Sequence, residues 1–512
     1  MLDFGSLKTP THNGDILVEP SGPRLRETIE WNRPLAAKWH FPFGDHDLQE
    51  LRQSVRSALT PDPAAPCIVT GHQCEFMHPG VWAKHVAAGR AATLTGGNAI
   101  NLVVDNDAPK KMSFVVPATD SQGISLREVP FASAPVGLAY ESLPALNARQ
   151  RRELADAFRA ALGSRFDRSA CPHFLAGLEH AESADDFCSQ MIAGRRAIDH
   201  AHGIHLLEHR VSRVWGGAFL AAILLDAGNF AAQYNAALAD YRRENGIRSP
   251  NRPIADLRID GPRVELPLWT YRPGEARRRV FVEIQQDRRI LFAEDKPIGT
   301  LSVRDLSRTD TADSTIAHAL SQPLRPRALT LTLWARLLLA DVFIHGIGGA
   351  KYDRITDHII QNHYGLTPPH MVCVSATLHL DLAAPTASPS DLHHARQQLR
   401  DARFNPQRYV TDRPGLEELI QVRARHILRS DQLRASQPHD HAIRRQTFLD
   451  IRRSNRDILA LDPTVQVHLA RSLDQLHHAL DQQRIANARD YFVGLFPNAG
   501  LADLASRIRA AI

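Results

Sequence analysis

Three short segments bring together residue types that can do chemistry. Thr70-Gly71-His72-Gln73 offers a hydroxyl, a flexible backbone position, an imidazole and an amide in four consecutive places. Asp105-Asn106-Asp107 offers two carboxylates, which can accept bonds from ribose hydroxyls or an amine, or hold Mg²⁺. His345-Gly346-Ile347-Gly348-Gly349-Ala350-Lys351 joins an imidazole, a lysine and glycines that let a ligand approach the backbone. Imidazole titrates near neutral pH, so His72, His85 and His345 are the proton-transfer candidates. Thr70, Gly71, Gln73, Asp105, Asp107, Gly346, Gly348, Gly349 and Lys351 are the candidates for binding a nucleotide or other anion. Each segment has a plainer explanation, because glycine marks any tight βα turn and Asp is a common helix cap. Their convergence is what points to a ligand.

The elements that must position them are readable. Each segment follows a short apolar run, Cys67–Thr70, Ala99–Val104 or Ala340–Ile344, of the kind that forms a buried strand. A helix over about Val81–Ala92 lies between the first two, which makes a βαβ unit and predicts a parallel sheet. In such sheets ligands sit beyond the carboxyl ends of the strands, where strand order reverses. Lys111–Pro117 reads as a third strand and Met371–Ser375 as another. Between these parts, residues 145–245 are helical, with periodicity in Ala148–Leu162, Ser183–Ala197 and Val211–Ala239. Short alternating runs from Arg263 to Phe292 then form an antiparallel meander. After the Pro/Ser linker 384–390, Asp391–Phe404, Gly415–Leu433, Ala442–Leu461 and Val465–Phe492 are helices. Their charged faces fit a long hairpin or coiled coil. The fold expectation is an α/β nucleotide-type core interrupted by a helical and β insertion.

Composition excludes several classes. In 512 residues, 43% hydrophobic and 23% charged content is that of a globular protein, so wholesale disorder is excluded. The net charge of +5 reads as spread along the chain, with no Lys/Arg block, so no nucleic-acid partner is expected. Arginine dominates; the only lysines are Lys8, Lys38, Lys84, Lys110, Lys111, Lys296 and Lys351. Five cysteines without C-x-x-C exclude a disulfide framework or zinc ribbon. The first residues lack a signal-peptide pattern, and the longest apolar stretch, Leu331–Ile347, is broken by Arg336, Asp341 and His345. A cytoplasmic protein without membrane contact is expected. Walker and G-x-S-x-G motifs are absent, and Gly346-Ile-Gly-Gly349 is only a fragment of G-x-G-x-x-G. A strict nucleotidyltransferase H-x-G-H is missing, although His72 and His78-Pro-Gly80 occupy its place. His205-Leu-Leu-Glu-His209 fits H-x-x-E-H, but among 26 histidines a chance match is easy. Gly203–Leu207 also reads as a strand, so no zinc is expected. Cys74 lies near the same turn as His72 and reads as a buried small hydrophobe rather than a reactive thiol.

The order of these pieces resembles the BshC family, the cysteine-adding enzymes of bacillithiol biosynthesis. Cys67-Ile-Val-Thr-Gly-His-Gln73 is similar to that family's strand and T-G-Q-Q, with His72 replacing a Gln. His85 falls where the family's next helix carries a His. Asp105-Asn-Asp107 resembles a shortened E-D-H-D, with Asn106 in place of a His. Gly203-Ile-His-Leu-Leu-Glu208, Val342-Phe-Ile-His-Gly-Ile-Gly-Gly349 and Leu495-Phe-Pro-Asn498 are similar to later strands, the Gly-rich turn and the C-terminal signature. The usual Pro and Glu of that turn are missing. The resemblance is collinear from about residue 66 to 500. It implies a Rossmann-like parallel-sheet core, with its first half in 1–130 and its second in 321–382. It further implies an insertion over 131–320, a long antiparallel, coiled-coil-like helical arm over 383–493 and a C-terminal segment, 494–512. It also implies a ligase-type activity joining cysteine, or a similar amino acid, to an amino-sugar acceptor such as glucosaminyl malate. ATP or ADP with Mg²⁺ would be the cofactor, and a homodimer through the arm is expected. The departures at His72, Asn106 and the Gly346–Lys351 turn leave two alternatives: a catalytically degenerate scaffold, or a nucleotidyltransferase-like enzyme.

Overall fold

The apolar runs assemble as strands of one sheet. The computed structural model describes residues 4–121, 123–131, 137–308 and 311–512. Strands β1 (Ile16–Glu19), β2 (Cys67–Gln73), β3 (Asn98–Val104) and β4 (Leu207–Arg210) belong to a first sheet. An antiparallel second sheet follows, made of β5 (Arg263–Thr270), β6 (Arg278–Ile284), β7 (Arg288–Ala293), β8 (Lys296–Ser302) and β9 (Leu324–Pro326). The chain then returns to the first sheet with β10 (Val342–His345) and β11 (Val372–Ala376). The first sheet has the order β1-β11-β10-β2-β3-β4. All its pairs are parallel except the edge pair of β1 with β11. This is a mixed α/β fold with a mostly parallel six-stranded sheet.

The interior strands are apolar on both faces because helices cover both sides. Val69, Ile100 and Leu102 join one core with the helix Gly217–Leu225 and with Leu337–Leu339. Four helices matter for the site: α1 (Leu48–Leu59), α2 (Pro79–Thr95), α3 (Phe187–Ala201) and α4 (Ile347–Tyr352). α1 starts at a full capping box, Asp47 with Glu50. α2 starts at Pro79, behind the N-cap His78, and ends at Gly96 in the left-handed conformation.

Three elements depart from the sequence reading. β2 runs to Gln73 rather than Thr70, because β3 is long enough to pair with Gly71, His72 and Gln73 through Leu102, Val103 and Val104. Ser113–Asp120, the expected third strand, pairs with Gly123–Pro130 in a separate ribbon; the place beside β3 belongs to β4. The periodicity of Val211–Ala239 breaks at Gly216 and Gly217, whose φ values of 138° and 62° suit glycine alone.

Two compact units emerge. One comprises Met1–Val116, Arg127–Leu380 and Arg489–Ile512; the other comprises Pro117–Leu126 and Asp381–Ala488. The second unit is mainly helical, with α5 (Pro389–Phe404), α6 (Leu416–Ser436), α7 (His441–Ala460) and α8 (Thr464–Ala486). The last of these stops at Ala486, short of the expected Phe492. α6 pairs with α7, and α5 with α8. The α6–α7 seam is not a sustained apolar heptad, since Thr447, Ser454 and Asn455 are buried beside Ile458 and Leu459.

Candidate functional site

Strand order reverses between β2 and β10, where Thr70 lies opposite Ile344. The carboxyl ends of these neighbours present His72 and Gln73 on one side and His345 and Gly346 on the other. That is the crevice where open α/β sheets hold ligands. Thr70 itself is fully buried and donates from Oγ1 to the carbonyl of Ile344 at 3.0 Å, so its hydroxyl stitches the two strands together. Gly71 lets the strands close: a Cβ there would stand 3.1 Å from the carbonyl oxygen of Leu102.

Two cations missing from the sequence reading line this crevice. Lys84 of α2 is buried and donates from Nζ to the Gly71 carbonyl at 2.7 Å. Burial, with the nearby charge of Arg195, pushes its ammonium down to about 8. Arg195 of α3 is fully buried and donates from Nη1 to the Gln73 carbonyl at 3.0 Å. Its Nη2 lies 3.9 Å from Glu208, and neither Nε nor Nη2 has a hydrogen-bond partner among the described residues. The available signal was a scarce lysine inside the apolar run Val81–Ala88. His72 shares their surroundings. Burial first, then the charges of Lys84 and Arg195, hold its imidazole well below the usual histidine range, so it is neutral at pH 7. Its Nε2 stands 3.9 Å from Glu75 Oε1.

The two expected carboxylates separate. Asp105 is fully buried, and both its oxygens are engaged: by Arg210 Nε at 2.7 Å, by the Ser212 amide at 2.9 Å and by Ser212 Oγ at 2.5 Å. It anchors β4 to β3 and does not face a ligand. Asp107 keeps 35% side-chain exposure, accepting from Arg277 Nη1 at 2.6 Å and from Gln73 Nε2 at 3.1 Å. Glu75, accepting from the Tyr140 hydroxyl at 3.2 Å, has its carboxyl raised, chiefly by burial. The donor set for Mg²⁺ thus shrinks to Asp107, already neutralised by Arg277, and these residues do not fit that ion.

His345 belongs to a second, closed network. Its Nε2 lies 3.0 Å from Asp353 Oδ2, which also binds Arg336 Nη1 at 2.7 Å, while Asp353 Oδ1 accepts from Thr356. Burial opposes the charge on Asp353, but Arg336 and His345 hold its carboxyl well below the usual range. Arg336 sits in a π-helical turn, Ala335–Leu339, a departure frequent near functional sites. Among the glycines, Gly346 and Gly348 border open space, whereas a Cβ on Gly349 would meet His345 Nδ1 at 3.0 Å. Lys351 lies in the last turn of α4. His85 is not with His72: it is fully buried, its Nδ1 2.8 Å from Asp199 Oδ2, while Trp82 Nε1 donates to Asp199 Oδ1.

His209 lies on a strand, β4, where its Nε2 contacts the Leu59 carbonyl, while Glu208 pairs with Arg196. Among the described residues no group of three or more His, Cys, Asp or Glu could hold a metal ion. Cys74 is fully buried, 3.7 Å from the Cys188 carbonyl. No helix among the described residues is long and apolar enough to cross a membrane. No protein-family model matches the chain, and no curated protein matches it.

Proposed function

We propose that the chain is a BshC-like, ligase-type enzyme that joins cysteine, or a similar amino acid, to an amino-sugar acceptor in low-molecular-weight thiol biosynthesis. One observation supports this above the others: a neutral imidazole, His72, stands beside two buried cations at the point where strand order reverses. Lys84 meets a carbonyl rather than a carboxylate, Arg195 comes no nearer than 3.9 Å to Glu208, and a buried charge short of a close partner is costly unless a counter-charge completes it. A carboxylate- or phosphate-bearing molecule supplies that charge. His72 is then the group that takes the proton an amine sheds as it forms the amide. Asp107 and Gln73 are placed to orient the amine or a sugar hydroxyl. ATP or ADP, when bound, would supply carboxyl activation, and its phosphates suit Lys84 and Arg195.

On this reading the six-stranded sheet is a Rossmann-like core split by an insertion. The helices of 383–493 are an arm through which a homodimer forms, and the enzyme acts in the cytoplasm. A catalytically degenerate scaffold is the rival reading, and the engaged Asp105 favours it. Incubation of the full chain with L-cysteine, glucosaminyl malate and ATP, followed by mass spectrometry, decides between them. The expected result is a product equal to the sum of the two substrates less water, abolished by His72→Ala with acceptor binding retained in calorimetry. Acceptor binding without product supports the scaffold. A folded protein that binds none of the three sinks both readings.

A further inference from the structure

The positive charge is not spread along the chain. Residues 421–456 hold nine arginines, no lysine and three aspartates, a net of +6, so the remainder of the chain sums to −1. They lie within the α6–α7 hairpin, whose full length, residues 416–460, adds Glu417, Glu418 and Asp457 and carries a net of +3. Elsewhere in the helical unit three arginines find carboxylates, Arg408 at 3.2 Å from Asp401, Arg413 at 2.5 Å from Asp462 and Arg484 at 3.4 Å from Asp481, while Arg396, Arg400, Arg403 and Arg471 find none among the described residues. Among the described residues none of the nine hairpin arginines forms an ion pair.

Their placement makes a surface. Thr447, Ser454 and Ile458 face the buried seam of α7. At 3.6 residues per turn, Arg445, Phe448, Leu449, Arg452 and Arg456 fall on the opposite side, at i, i+3, i+4, i+7 and i+11. That stripe runs about 16 Å at 1.5 Å per residue and carries no acid. Phe448 is 53% and Leu449 47% exposed. The Arg452 guanidinium lies 4.9 Å from the ring centroid of Phe404, itself 40% exposed, so one arginine is already held over an aromatic face. On α6 the same spacing sets Arg425, Leu428 and Arg429 together, with Leu428 60% exposed.

We propose that the α6–α7 hairpin binds single-stranded nucleic acid, its arginines contacting phosphates and Phe448 stacking on a base. The unpaired charge calls for a polyanion, and it repels a second copy of the same surface. An anionic membrane would need a continuous apolar face, but the exposed apolar residues Leu428, Ile443, Phe448 and Leu449 are broken up by Arg425, Arg429, Arg444, Arg445 and Arg452. A protein partner would need a contiguous apolar centre, whereas here the exposed apolar side chains are interleaved with arginines. Guanidinium groups interleaved with exposed aromatic rings are what phosphates and unstacked bases require.

The test is fluorescence anisotropy of the full chain with a labelled oligouridylate of about 12 nucleotides. Affinity should fall with salt along a log–log slope of about −2, as for some three phosphate contacts on a single strand. Arg445→Gln with Arg456→Gln should weaken binding about tenfold and flatten the slope by about 1.4. Phe448→Ala should weaken it about five- to tenfold without changing the slope, and Phe448→Trp should retain it. All three positions are on the exposed side of the helix, so superimposable unfolding curves are expected for all variants. No oligonucleotide binding, or binding indifferent to Phe448, overturns the proposal. Retention of the chain on phosphatidylserine vesicles, or by oligoglutamate, with the oligonucleotide unbound also overturns it.

Discussion

The two ends of the parallel sheet use the same residue types to opposite effect. At the amino end of β10, the carboxylate of Asp341 binds both Arg52 and Arg56 of α1 and accepts the Cys67 amide at the start of β2. Arg52 goes on to donate to the carbonyls of Leu337 and Ala340, and Arg56 to that of Leu339, closing the end of the π-helical turn. Asp341 stands 3.0 Å from Arg52 Nη2 and 2.7 Å from Arg56 Nη2, the latter a close ion pair without hydrogen-bond geometry, so all three charges are matched at short range. At the carboxyl end, Lys84 and Arg195 are equally buried, yet the nearest carboxylate to Arg195 is 3.9 Å away and its Nε is unmatched. A closed network is a lock, whereas a buried cation short of close carboxylates is free to pair with another charge.

The lock can be broken. Asp341→Ala strands two buried guanidinium groups and leaves the Cys67 amide without its acceptor. Removing one partner of a buried ion pair costs about 3–5 kcal/mol. A loss of that size in urea unfolding, with the slope unchanged, is expected. A loss below about 1 kcal/mol, the usual worth of an exposed pair, would show that the amino end is no lock.

The open end should respond differently. Lys84→Met replaces an ill-placed charge with an apolar chain of similar length, so stability at pH 7 should rise, by up to about 3 kcal/mol less the worth of the lost hydrogen bond to Gly71. Ligand binding, by contrast, should be lost. The sign of the pH effect follows from the shift. The folded ammonium titrates at about 8, the unfolded one near about 10.4. Between those values the unfolded chain holds more protons, so wild-type stability rises with pH. The penalty is full well below pH 8 and gone above about 10.5, a gain of about 3 kcal/mol relative to Lys84→Met. Denaturation of both proteins from pH 7.5 to pH 10 measures it, and parallel stability curves would refute the buried charge.

The same contrast explains what could be seen in the sequence. β2 and β10 were legible as buried strands, though not the carboxyl end of β2, because apolar runs bounded by Pro66 and by glycines mark buried strands whatever their surroundings. The meander was legible from its period of two. The crevice was placed correctly in outline but not in membership. Gly71-His72-Gln73 looks like a turn by local chemistry, and only pairing with β3 makes it strand. Asp105 looks available until Arg210, 105 residues onward, arrives with β4 and engages it. Arg195 reaches Gln73 from 122 residues away on a helix that reads as scaffold. Periodicity reports which face is buried; it carries no record of which distant side chain shares the burial.

A finer comparison lies within four residues of the carboxyl end. Gly348 and Gly349 are neighbours on α4, and composition treats them alike. Beside Gly348 nothing comes within 4 Å of where a Cβ would be, so Gly348→Ala only trims the freedom of the unfolded chain. It should stabilise by about 0.4–1 kcal/mol. At Gly349 the new methyl would stand 3.0 Å from His345 Nδ1. That ring cannot retreat freely, because Asp353 holds its other nitrogen and Phe343 packs against it with centroids 4.4 Å apart. Gly349→Ala must therefore strain the helix or turn the imidazole off Asp353, and should destabilise by about 1 kcal/mol. If the ring turns, the histidine loses its carboxylate partner, a change of ring environment that NMR of His345 detects. Equal stabilisation by both alanines would mean that the His345 network is loose and that this wall of the crevice is shaped by its ligand rather than before it.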